Sequence, residues 1–336
     1  MNLSHPLGGD AMARFRGLLE PALREAVSAL HPWGARMAAF ALGWSDADGR
    51  PHNGDGGKGV RPAILMLSAE AVGGTAESAL PGAVAVELVH AFSLVHDDII
   101  DHDERRRHRE ALWKAYGVGP ALLAGDALLA LAINQLAGSP EAMKYLSAAL
   151  IELVNGQTAD MAFENRPWRG PNAVTISEYT AMAAGKTGGL LGAAAAAGVS
   201  LGGAPELAGS MWEMGLDLGV AFQIADDMLG IWGDPRMTGK PVYSDLRRDK
   251  KTFPILAALA NDHPAAREFS ALLSAGVSGE DSLRHAARLV EQAGGRAAAQ
   301  AQADRHLASA LAVMDECLPG ATDLRALCAS LVNRAH

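Results

Sequence analysis

The chain has 336 residues, 49% hydrophobic, 20% charged and only 5% aromatic, with a formal net charge of -9. That balance excludes nucleic acid as the main partner, because phosphate backbones select basic faces. Two cysteines, Cys317 and Cys328, exclude a disulfide framework or a cysteine-based metal site.

No N-terminal stretch joins a basic start, an apolar core and a small-residue cleavage site, and the apolar region from Leu190 to Leu201 is shorter than the roughly 20 residues of a membrane span. A cytoplasmic protein without stable membrane insertion is expected. Helical periodicity recurs from end to end without alternating β-branched runs, which predicts an all-α fold with a large core. One domain over residues 1–336 is expected, with residues 1–12 as a flexible N-terminus.

In chain order, helices are predicted over Ala13 to Leu30 and Trp33 to Trp44, followed by a loop from Ser45 to Gly57. Lys58 and Arg61 then stand three apart at the entrance of a helix reaching Val72, with Pro62 in its first turn. Two readings stay open there, ordinary surface cations or an anion site using the free N–H groups of the helix start.

The next helix, about Leu80 to His102, carries His90 two turns before Asp97 and ends in Leu94-Val95-His96-Asp97-Asp98-Ile99-Ile100-Asp101. At about 100° per residue, Asp97, Asp98 and Asp101 are expected to project together from one flank. Such clustering is self-repulsive, so either the face is solvated or a cation such as Mg²⁺ sits between the oxygens. Arg105, Arg106 and Arg107 follow; they either compensate the helix end or hold a phosphate bridged to the same cation.

Helices over Pro120 to Ala137 and Pro140 to Glu164 come next, the second placing Gln157 and Asp160 on one face. Gly185-Lys186-Thr187-Gly188-Gly189 interrupts a helical region, and glycine there needs a reason such as a kink or a close backbone approach. A second acidic stretch, Phe222-Gln223-Ile224-Ala225-Asp226-Asp227-Met228-Leu229-Gly230, ends a helix from about Pro205. A polar loop with Lys240, Asp245, Lys250 and Lys251 follows, and from Pro254 to His336 amphipathic helices carry no recognisable chemistry.

Two Asp-Asp helix ends, each followed by basic residues, are far more specific than either alone. The sequence closely resembles the trans-isoprenyl diphosphate synthases, and among them the bacterial geranylgeranyl diphosphate synthases, from about residue 12 to 330. The resemblance rests on Gly57-Lys58-Gly59-Val60-Arg61-Pro62, Asp97-Asp98-Ile99-Ile100-Asp101 with Arg106-Arg107, Gly156-Gln157, Lys186-Thr187, Phe222-Gln223 with Asp226-Asp227, and the loop from Gly239-Lys240 through Asp245 and Lys250.

It implies a single bundle of long, mostly antiparallel helices around a deep cavity (the isoprenoid synthase fold), usually as a homodimer. It also implies a Mg²⁺-dependent prenyltransferase, with three ions per active site, condensing isopentenyl diphosphate head-to-tail with dimethylallyl, geranyl or farnesyl diphosphate. Asp97, Asp101 and Asp226 match the metal positions, and Arg106, Lys186, Thr187, Gln223 and Lys240 match the allylic diphosphate site. Lys58, Arg61, His90 and Arg107 match the isopentenyl diphosphate site, while Asp98, Asp160 and Asp227 match supporting positions.

One position departs from the pattern. The second motif normally has a third Asp, and here it is Gly230. Phe92 and Ser93 occupy the chain-length positions, and one aromatic with a small neighbour resembles synthases of the twenty-carbon product. The alternatives are a farnesyl diphosphate synthase, a divergent class I terpene cyclase and a non-catalytic subunit of a heteromeric synthase.

Overall fold

Helix starts are set by local chemistry that the periodicity does not carry. Thr75 Oγ1 accepts from the Ser78 N–H at 3.1 Å while Ser78 Oγ accepts from the Thr75 N–H at 3.3 Å, a reciprocal cap that satisfies two helix-start donors. The helix therefore begins at Ala76, four residues before the expected start.

The computed structural model describes residues 9–52, 59–106, 109–235 and 241–333. Lys58, Arg107 and Lys240 lie outside the described residues. The helices of the first part are α1 (Gly9–Ser28), α2 (Pro32–Ala41), α3 (Val60–Ala71), α4 (Ala76–Ile100), α5 (Leu112–Tyr116) and α6 (Val118–Gln135). Then come α7 (Pro140–Glu164), α8 (Ile176–Ala183), a π-helical turn over Ala184–Gly188, α9 (Gly189–Leu201) and α10 (Ala208–Trp232). α11 (Ser244–Arg247), α12 (Phe253–Leu259) and further helices to Val332 complete it.

Residues 9–12, expected within a flexible N-terminus, are helical. Past the end of α4, β1 (Arg105–Arg106) pairs antiparallel with β2 (Arg109–Glu110), Arg105 opposite Glu110 and Arg106 opposite Arg109. His102, a non-glycine residue at φ 54, stops the helix just before this hairpin.

The described chain forms two compact units. The first comprises residues up to Ser147 with Gly192–Trp212 and Cys317–Leu327. Its core is α4, whose Val86, Leu88 and Val89 are fully buried, together with Ile64, Leu65 and Met66 of α3. A smaller cluster of Met37, Phe40, Val95, Leu112, Ala121 and Ala124 packs near the acidic end of α4.

α4 and α6 are long and apolar enough to cross a membrane by composition, but 61% of the α4 window is buried, as a core helix requires. The second unit comprises Ala148–Leu191, Glu213–Glu316 and the last residues from Cys328. Ile231, Leu246, Ile255, Phe269, Leu283 and Val290 anchor its core.

Candidate active site

At the end of α4 the three aspartates part company. Asp98 turns inward, its side chain 5% exposed, and accepts from Arg106 Nε at 2.9 Å on both oxygens and from Nη2 at 2.7 Å. The expectation that the three carboxylates project together is corrected, because residues 97 and 101 share a face that residue 98 leaves by about 100°. Asp97 and Asp101 are half-buried, joined by the Asp101 N–H donating to the Asp97 carbonyl at 2.8 Å.

Burial pushes the Asp98 carboxyl up, against the opposing pull of Arg106, and Asp98 holds Arg106 above its usual range despite burial. Carboxylates at a helix C-terminus also face the negative end of the dipole. The hairpin brings Arg106 to that end, so one of the three charges is neutralised locally.

On the same unit, Arg61 Nη1 lies 3.3 Å from His90 Nε2. Arg61 is in the first turn of α3, whose N-cap Gly59 offers no side-chain cap. Burial lowers the Arg61 pKa, with Glu87 opposing, and its buried Nε has no hydrogen-bond partner. An unpartnered buried donor beside a helix N-terminus is the observation that fits an anion here.

Phe92, also on α4, packs edge-on against His96 with ring centroids 4.7 Å apart. Ser93 is buried and donates its hydroxyl to the His90 carbonyl at 2.9 Å, so it presents no bulk and no donor to its surroundings.

The second unit holds the other acidic end. Asp226 is exposed while Asp227 is 4% exposed. Asp227 accepts from Tyr179 Oη at 2.5 Å, the Phe253 N–H at 3.0 Å and Gln223 Nε2 at 3.0 Å. Gln223 Oε1 in turn accepts from Thr187 Oγ1 at 2.8 Å. Burial, then the nearby Asp245 charge, pushes the Asp227 carboxyl up, against its three donors.

Lys186 sits in the π-helical turn and donates to Asp160 Oδ2 at 2.5 Å. The reason for glycine at 156 is direct, since a Cβ there would fall on the Lys186 backbone. Widened helical turns of this kind recur at functional sites. Lys251, buried, places its ammonium 3.5 Å from the Trp168 ring centroid, beside the half-buried Lys250.

The model for polyprenyl synthetases matches residues 51–290, a span that contains both acidic helix ends and the residues wired to them. This chain belongs to the polyprenyl synthetase family. It is similar to a (2E,6E)-farnesyl diphosphate synthase of Mycobacterium tuberculosis, 46% identical over 300 residues, covering 86% of this chain and 82% of that one. A geranylgeranyl diphosphate synthase of the same organism is 39% identical over 318 residues, covering 92% and 89%. Among solved structures, a polyprenyl synthetase from Streptomyces coelicolor is 41% identical with a TM-score of 0.88, covering 96% of this chain and 99% of that one.

The synthase is thus an all-α transferase with the isoprenoid synthase fold, a trans-prenyl diphosphate synthase. Farnesyl, geranylgeranyl and geranylfarnesyl synthases all stand among its relatives, so their names do not select a product.

Reasoning from sequence gave no role to two residues of this synthase. Tyr179 reaches Asp227 across 48 positions, and nothing in its own surroundings marks it. His96, behind Phe92, is visible only as an i, i+4 neighbour. Asp245 reads from the sequence as part of the polar loop, but its close approach to Gly230 has no signal there.

Proposed function

We propose that the synthase joins isopentenyl diphosphate head-to-tail to dimethylallyl, geranyl or farnesyl diphosphate, giving mainly geranylgeranyl diphosphate and pyrophosphate. In this reading residues 1–336 form one catalytic domain, and the protein acts as a cytoplasmic homodimer. The observation that carries it is the buried network of Thr187, Gln223, Asp227 and Tyr179, which fixes the α10 end and leaves Asp226 exposed.

Asp97, Asp101 and Asp226 are hard oxygen donors, suited to Mg²⁺. Mg²⁺ bound by few carboxylates completes its shell with water and substrate phosphate oxygens. Bound there, Mg²⁺ supplies charge stabilisation for the departing diphosphate. Asp98 holds the Arg106 guanidinium and Asp160 holds the Lys186 ammonium, so both cations are oriented before an allylic diphosphate arrives.

Gln223, Thr187 and Lys240 belong to that same subsite. Arg61 and His90, with Lys58 and Arg107, bind isopentenyl diphosphate by side chains alone. No side-chain base is assigned; in this reading the released pyrophosphate takes the proton.

Phe92 beside the small Ser93 supports the twenty-carbon product. The second reading is a farnesyl diphosphate synthase, favoured by the 46% identical relative of that name. Incubation with labelled isopentenyl diphosphate and each primer decides between them. A twenty-carbon main product is expected, and a fifteen-carbon product alone would select the farnesyl reading.

Phe92→Ala should lengthen the product and Ser93→Phe shorten it; unchanged lengths in both would remove the ruler from this helix. Hydrocarbon formed from farnesyl diphosphate without isopentenyl diphosphate would favour a cyclase. Absence of turnover by the purified chain would favour a non-catalytic subunit.

A further inference from the structure

We propose that His96 is a positioning residue for product length, acting through Phe92: its imidazole braces the Phe92 ring and so limits how far a growing prenyl tail extends. The inference rests on the reading of Phe92 as the chain-length ruler, and it adds a residue outside the two ruler positions.

A ruler made of one side chain works only if that side chain resists being pushed. Phe92 is half-buried, and a partly exposed ring changes rotamer readily unless a neighbour blocks it. His96 stands four residues on, on the same face of α4. Its ring meets Phe92 edge-on, with centroids 4.7 Å apart and planes at 65°, an arrangement that aromatic pairs favour over a parallel sandwich.

The imidazole is in turn held by α6. Its Nε2 lies 3.3 Å from the Leu122 carbonyl, and a carbonyl only accepts, so the bond requires the proton on this nitrogen. Asp126 Oδ1 is 3.9 Å from the same atom. Gly125, buried on α6, has no side chain, and the ring occupies the space that a Cβ of residue 125 would enter. The His96 side chain is only 23% exposed.

These contacts tie the ruler to two helices of the first unit. Phe92 and His96 belong to α4, whereas Leu122, Gly125 and Asp126 belong to α6. For Phe92 to swing toward position 96, the imidazole must give up its bond to Leu122 and its place over Gly125. A tail pressing on Phe92 therefore works against the packing of α4 on α6 as well as against one ring.

The test compares product lengths of full-length variants supplied with Mg²⁺, isopentenyl diphosphate and dimethylallyl diphosphate, with melting temperature as the check on folding. An edge-on aromatic pair biases a ring between two positions by about 2–10-fold. In His96→Ala the share of product one isoprene unit longer than the wild-type main product should rise by about that factor. His96→Phe, which restores a ring edge, should return the wild-type length. Gly125→Ala places a methyl in the space of the imidazole and should lengthen the product with both rings still present.

Wild-type product length in His96→Ala would overturn the proposal, as would equal lengthening in His96→Ala and His96→Phe. If His96→Ala does not fold, Gly125→Ala decides alone, and an unchanged length there removes the brace. Phe92→Ala separates the two readings. If it leaves product length unchanged, the ruler reading falls and the brace with it; if it lengthens the product while His96→Ala does not, only the role of His96 falls.

Discussion

Arg106 directs three hydrogen bonds into one buried carboxylate, that of Asp98. Removing one partner of a buried pair costs more than the pair contributes, since it leaves an uncompensated charge, typically about 3–5 kcal/mol. The Arg106 side chain is 36% exposed, so water relieves part of that cost, and Arg106→Ala should destabilise by about 2 kcal/mol. Urea unfolding measures it. Adding Asp98→Asn should recover part of the loss, because a neutral amide needs no cation. If Arg106→Ala unfolds at the wild-type urea midpoint, Arg106 is not the partner that makes Asp98 tolerable. The same logic explains why two neighbouring aspartates differ so much: Asp98 and Asp227 are buried and wired, while Asp97 is half-buried and Asp226 exposed.

Among the elements, the π-helical turn over Ala184–Gly188 shows how a helix is bent to a purpose. Its extra width carries Lys186 against α7, and Gly156 of α7 makes room by having no side chain. Two effects oppose each other in Gly156→Ala. Helix propensity favours alanine by up to about 1 kcal/mol, whereas overpacking a tight contact costs about 1–3 kcal/mol. The contact is with backbone, which cannot rotate away, so packing should win and the variant should be less stable in urea. Moving the turn also moves Lys186, and the KM for the allylic diphosphate should rise. A more stable variant with unchanged KM would mean that the turn shifts at no cost.

For the whole molecule, acid stability turns on which carboxyls the fold holds down and which it pushes up. Glu178 accepts from both Arg166 terminal nitrogens, at 2.7 and 3.2 Å, and from the Thr175 N–H and hydroxyl. The Arg166 bonds first, then Thr175, hold it down from 4.5 to about 2. A group depressed in this way contributes stability above pH 4.5 that is lost as the pH falls through 2. Asp98 and Asp227, both raised by burial, have the opposite sign and favour the folded state as they gain protons. The wild type should therefore exceed Glu178→Gln in stability at pH 6, with the difference shrinking below pH 4.5 and vanishing near 2. A difference independent of pH across that window would show that the Glu178 charge is not what the fold uses.

Spacing along the chain by itself determined the all-α class, the two acidic helix ends, and the placing of Gln223 one turn before Asp226. These are legible because a helix converts sequence distance into angle, so residues three or four apart must share a face. Grouping Asp98 with Asp97 and Asp101 went against that rule, since residue 98 lies about 100° from residue 97, and there Arg106 meets the buried charge. No periodicity encodes contacts between distant segments. Tyr179 with Asp227, Gly156 with Lys186 and Gly230 with Asp245 were decided by tertiary structure alone, because each depends on how closely two separate backbones approach. Gly230 makes the point most directly: in the sequence it is a missing aspartate, and in the fold it lies against the Asp245 carboxylate.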